Sequence, residues 1–136
     1  MNKSLQAVSM AQHLTGMIVA RPGRVRDGIF TLLSSLPEVE GILQFDQLEE
    51  ALTVVGERHP LLVLIDFECA CVRLPAILKR IKTISPDTRH LVLVDNHLQQ
   101  HLAKLSHADR ILMKGVRAET FIEVVGELVS RQDGLC

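Results

Sequence analysis

Asp66 closes an apolar run, Leu62–Ile65, and opens the mixed stretch "FECACVRL". Strands of a buried parallel sheet read this way, and their ligands gather at the carboxyl ends. Asp66 is therefore either a reactive carboxylate or an acid that only caps a strand, and its partners decide which. Two other stretches reach comparable positions. "MIVA" (Met17–Ala20) runs into Arg21 and Pro22, and "RILM" (Arg110–Met113) runs into Lys114. If the three ends converge, Asp66 faces cations and is held by them. Three further groups carry weaker chemistry. Arg21, Arg24 and Arg26 surround a glycine at a helix start, a setting that attracts anions, but the glycine pattern of a P-loop or dinucleotide site is missing. His97 and His101 are four apart with His107 nearby, a zinc spacing, yet no acid or cysteine lies at a matching offset. Exposed polar histidines are expected instead. Cys69 and Cys71 are expected as ordinary small buried residues.

The elements that must position these residues follow from the apolar periodicity. Strands are expected at Met17–Ala20, Ile42–Phe45, Leu61–Ile65, Leu91–Val94 and Arg110–Met113. Five amphipathic helices alternate with them. The first carries Val25, Ile29, Leu32, Leu33 and Leu36 on one face. Leu48, Ala51, Leu52 and Val55 line the second, behind an expected capping box of Asp46 and Glu49. Leu74, Ile77, Leu78, Ile81 and Ile84 line the third, and Leu98, Leu102 and Leu105 the fourth. Phe121, Val124, Val125 and Leu128 line the last. Strict alternation of strand and helix predicts a three-layer α/β sandwich, a five-stranded parallel sheet covered on both faces. Right-handed crossovers favour the flavodoxin-like strand order 2-1-3-4-5. The domain is expected over residues 16–130, with an N-terminal extension at 1–15 and a tail at 131–136. The leading "SLQAVSMAQHL" suggests one loose helix.

Composition narrows the function classes. The chain has 136 residues, a net charge of −1 and 47% hydrophobic residues, which fits one aliphatic domain with no global pull toward nucleic acid or membrane. Apolar runs are too short to span a bilayer, and no signal peptide is legible. Three cysteines, two of them too close for an easy disulfide, point to a reducing cytoplasmic compartment. Lys79, Arg80 and Lys82 are expected on a wet helix face, without the basic stripe and aromatic platform of a nucleic-acid binder.

The segments "MIVARP", "LLVLIDFE", "LVLVDNH" and "ADRILMKG" make roughly Gly16 to Val129 resemble the receiver domain of two-component response regulators. The resemblance implies that Asp66 matches the phosphoacceptor aspartate and Lys114 the lysine that pairs with it. It also implies departures. Arg21 and Pro22 stand where receivers carry two acids that hold Mg²⁺, and Val94 where a Thr or Ser hydroxyl meets the phosphoryl group. Ile111 stands where an aromatic switch residue is common. Glu68 falls where a backbone carbonyl joins the metal. Mg²⁺ demands hard oxygen ligands in octahedral geometry, so its binding is expected to be weak or absent, with no other cofactor and no metal site.

The expectation is a stand-alone receiver-like module, not an enzyme, that signals by protein–protein contact without Mg²⁺-dependent aspartyl phosphorylation. No helix-turn-helix output segment follows Val129. Its partner would be a signalling protein or a histidine kinase. The contact face is expected on the fourth and fifth helices with the fifth strand, because Ile122 and Val129 add apolar positions to the last helix. A homodimer through that face or the first helix is also expected. Two alternatives stand beside this reading: a phosphoacceptor regulator using Asp66 in a phosphorelay, and a small-anion or nucleotide sensor at an Arg21/Lys114 pocket.

Overall fold

The computed structural model describes residues 15–130. The expected N-terminal helix, the tail and Cys136 lie outside the described residues. The chain runs β1 (Gly16–Val19), α1 (Arg24–Ser34), β2 (Ile42–Phe45), α2 (Leu48–Arg58) and β3 (Leu62–Asp66). A single helical turn, Phe67–Ala70, passes through a 3₁₀ turn, Cys71–Arg73, into α3 (Leu74–Ile84). Then follow β4 (Arg89–Val94), α4 (His97–Leu105), β5 (Arg110–Met113) and α5 (Ala118–Ser130). The sheet order is β2-β1-β3-β4-β5, all parallel, as the alternation predicts.

Period-two alternation splits each strand between two apolar layers. Met17, Val19, Val63, Ile65, Val92 and Val94 face the layer closed by α2, α3 and α4. Ile18, Leu62, Leu64, Leu91, Leu93 and Leu112 face the layer closed by α1 and α5. Because β1, β3 and β4 are covered on both faces, their residues read as continuous apolar runs. Leu74 and Ile81 on α3 are fully buried, and truncating such a side chain to alanine typically costs about 2–5 kcal/mol.

At the opposite end of the sheet from Asp66, β4 and β5 are tied by a pair that sequence periodicity does not reveal. The His90 backbone N–H donates to Asp109 Oδ2 at 2.9 Å. The Asp109 N–H donates to His90 Nδ1 at 3.1 Å. That second bond needs a lone pair on Nδ1, so the ring is neutral with its proton on Nε2. Burial holds the His90 pKa below the usual imidazole range, against the pull of the nearby Asp109 carboxylate.

Several local expectations change. The α2 N-cap is Gln47, with no side-chain capping bond, so the Asp46–Glu49 box does not form. Glu49 instead accepts a hydrogen bond from Arg73 at 2.7 Å. Cys69 is half-buried and Cys71 exposed, not both buried. On α1, Val25 points outward, leaving Ile29 and Leu33 as the buried residues. On α5, Val129 is buried and Ile122 packs against the α1–α5 layer, so neither is spare apolar surface. The largest reversal is on α4. Leu98, Leu102 and Leu105 do share one face, but it is the outer one, at 67%, 40% and 62% exposure. Ala103 is the residue α4 buries. Spacing identifies residues that share a face, and it does not say which face meets the sheet.

Candidate functional site

Asp66 is the last residue of β3, paired in register with Leu93 of β4, and it is buried. Its backbone is still extended, so its side chain is free to cap the turn that follows. Asp66 Oδ1 accepts the Glu68 backbone N–H at 3.1 Å. The same oxygen lies 2.8 Å from Lys114 Nζ. Lys114 is delivered from the far side of the sheet. Its backbone N–H donates to the Val94 carbonyl at 2.8 Å, which carries β5's pairing one residue past the strand. Gly115, at φ 91°, then turns the chain away through a conformation that L side chains rarely adopt.

A second acid completes the cluster. Asp95, the residue after β4, lies 3.2 Å from Lys114 Nζ through Oδ1. Its backbone N–H donates to Gln99 Oε1 at 2.8 Å. The next residue, Asn96, caps α4 by accepting the Gln99 N–H at 2.9 Å. These two bonds fix the loop that presents the Asp95 carboxylate. Burial alone would lower the Lys114 pKa, but the hydrogen bonds and charges of Asp66 and Asp95 outweigh it and raise it. The Asp95 carboxyl is held below its usual range, first by a hydrogen bond with Glu68 and then by Lys114. The site is thus one ammonium enclosed by two carboxylates, with Glu68 at its rim.

The other expected positions are dispersed. Arg21 and Pro22 follow β1 and are exposed, and no ion pair joins Arg21 to Asp66 among the described residues. Burial and the Asp66 charge push the Cys69 thiol's pKa up, away from a reactive thiolate. The Val94 side chain is wholly buried in the apolar layer and presents no hydroxyl to the Lys114 ammonium. Ile111 is half-buried, paired with Val92, and packs against the same layer. The cavity of about 200 Å³ beside Lys114 is bounded by Arg24, Val25, Ile29, Leu93 and Met113, and Arg21 is not in its lining. His97, His101 and His107 are exposed. Among the described residues no group of three or more His, Cys, Asp or Glu is placed to hold a metal ion.

Asp95 is the member of the cluster that the sequence does not single out. Its signal was present, because "LVLVD" repeats the pattern of "LVLID" that singled out Asp66.

No family model matches the sequence, and no curated protein does. Solved structures do. The chain is similar to a response regulator receiver domain protein (CheY-like) from Methanospirillum hungatei JF-1, with TM-score 0.74 and 16% identity over 90% of this chain and 98% of that one. It is similar to the signal receiver domain of an HD domain-containing protein from Pseudomonas fluorescens Pf-5, with TM-score 0.73 and 19% identity over 92% and 93%. A response regulator from Thermotoga maritima matches with TM-score 0.69 and 20% identity over 88% and 99%. The chain has the fold of response regulator receiver domains.

Proposed function

We propose that the protein is a receiver-like signalling module that acts through protein contacts and does not run an Mg²⁺-dependent aspartyl phosphorylation switch. The observation that carries this reading is the Lys114 ammonium held between Asp66 and Asp95 at 2.8 and 3.2 Å, with Arg21 and Pro22 beyond the neighbouring strand. A hard divalent ion needs several oxygen ligands free to converge. Here one Asp66 oxygen already serves an ammonium and a backbone N–H, and the adjoining strand end supplies a guanidinium and a proline ring in place of carboxylates. This donor set does not fit Mg²⁺. Without a metal, phosphoryl transfer to Asp66 lacks the charge neutralisation that it depends on. Asp66 then serves as a cap and ion-pair partner, in a protein that is not an enzyme. Its partner is a signalling protein such as a histidine kinase, met in a reducing cytoplasm where Cys69 and Cys71 stay as free thiols.

The intact Asp66–Lys114 contact favours a second reading, a phosphoacceptor that keeps Asp66 reactive with an unusual ion arrangement. Mg²⁺ titration followed by calorimetry or amide NMR shifts separates the two. The parent is expected to show no saturable site below the millimolar range. Arg21→Asp combined with Pro22→Asp is expected to strengthen binding. A micromolar site in the parent would overturn the proposal.

A further inference from the structure

The leucines of α4 form a continuous outer ridge, at i, i+4 and i+7. Val72, 92% exposed in the 3₁₀ turn, extends the apolar surface toward the Asp66 end. Between this ridge and α3 runs a groove in two parts. One part, about 350 Å³, is floored by Phe67, Val72, Pro75 and Leu102. The other, about 490 Å³, is lined by Leu78, Leu105, Lys79, Lys82 and His107. Both parts share Pro75, Leu105 and Ser106, so they are continuous. An exposed apolar strip of this kind marks an interaction site more often than spare surface.

Charge indicates what covers it. Among the described residues, no acidic residue lines either part of the groove. Lys79 and Lys82 stand exposed on α3 and form no ion pair among the described residues. We propose that the α3–α4 groove is a docking site for an acidic amphipathic helix of a partner protein, with apolar anchors against Leu102 and Leu105 and carboxylates on Lys79 and Lys82. A second copy fits poorly, because a two-fold contact through this face brings the same basic rim against itself. The nine residues of α4 span about 13 Å, matching a docked segment of two to three turns. The proposal rests on the reading of the chain as a contact module and supplies its partner chemistry. It requires nothing of the phosphorylation state of Asp66, so it fails or stands separately from the metal test.

The probe is a labelled helical peptide with Leu at i, i+3, i+4 and i+7 flanked by Glu, set against an isomer carrying Lys at every Glu. Binding is read by fluorescence anisotropy and mapped by amide NMR shifts on the full chain. The Glu peptide is expected to saturate and to bind at least about tenfold tighter than the Lys peptide. Its shifts are expected to map to α3 and α4. Leu102→Ser with Leu105→Ser is expected to abolish binding, and Lys79→Glu with Lys82→Glu to invert the peptide preference. All four side chains are exposed, so circular dichroism is expected to show folded variants. Four results would overturn the proposal: no saturable binding of the Glu peptide, binding that survives the leucine substitutions or maps elsewhere, self-association that the leucine substitutions abolish, and binding seen only after removal of residues 1–14. The third would assign the groove to a second copy, and the fourth to the chain's own N-terminal segment.

Discussion

Asp66 performs two jobs through one oxygen, capping the turn at Glu68 and pairing with Lys114. The two can be separated by substitution. Asp66→Asn keeps a cap-competent carbonyl and loses the charge, whereas Asp66→Ala loses both. Urea denaturation is expected to show Asp66→Ala less stable than the parent by about 2–3 kcal/mol, since a charged hydrogen bond and a cap are lost together. Asp66→Asn is expected to recover about 1 kcal/mol of that, the usual worth of an N-cap. Equal losses in the two variants would show that the cap contributes nothing. Lys114 adds a pH signature. Its folded pKa is raised, so its contribution is complete below the unfolded value near 10.5 and is lost as pH rises through the folded value. Lys114→Met is expected to flatten stability against pH in that alkaline window. The pairing partner of Asp66 was legible from strand ends alone, because a parallel sheet places every strand's carboxyl end on one edge. Asp95 shares the apolar-run-then-acid pattern of Asp66, but the pattern does not show that its carboxylate turns toward Lys114. The direction of a side chain at a strand end depends on where the strand stops, and sequence fixes such boundaries only to within a few residues.

At the scale of elements, the strands were legible and the helix faces only partly so. Doubly covered strands must be apolar throughout, so "LVLID" and "LVLV" identify themselves. A helix stripe is ambiguous when the helix is short and a small residue can serve as the inner contact. On α4, Ala103 fills that role and the three leucines turn outward. The contrast is measurable. Leu102→Ser is expected to change stability by no more than about 0.5 kcal/mol, the range of surface substitutions. Leu78→Ala on α3, buried against the sheet, is expected to cost about 2–4 kcal/mol. A large loss at Leu102 would mean that α4 packs the other way round. The β4–β5 tie makes a second element-scale test. The His90 pKa is lowered on folding, so its neutral state contributes fully above the unfolded value near 6.5. That contribution is lost as pH falls from there through the folded value. His90→Gln is expected to remove this acid-side loss, seen as a flatter profile of urea midpoint against pH between neutrality and the carboxylate range. A parent whose stability does not fall as pH drops below about 6.5 would contradict the neutral, buried assignment.

At the scale of the molecule, the parallel sheet brings five strand ends to one edge, and the end of β5 sets the Lys114 ammonium between Asp66 and Asp95. Asp66 pairs with Lys114 at that edge, while Arg21 and Pro22 lie exposed after β1 and Val94 is buried. Exposed apolar surface lies between α3 and α4, away from the α5 positions that the sequence suggested. On this proposal Asp66 does not accept a phosphoryl group. Intact mass of the full chain after incubation with a small-molecule phosphodonor and Mg²⁺ tests it most directly. The account predicts an unchanged mass in the parent and in Asp66→Asn alike. A stoichiometric phosphoryl adduct on the parent, absent from Asp66→Asn, would contradict it.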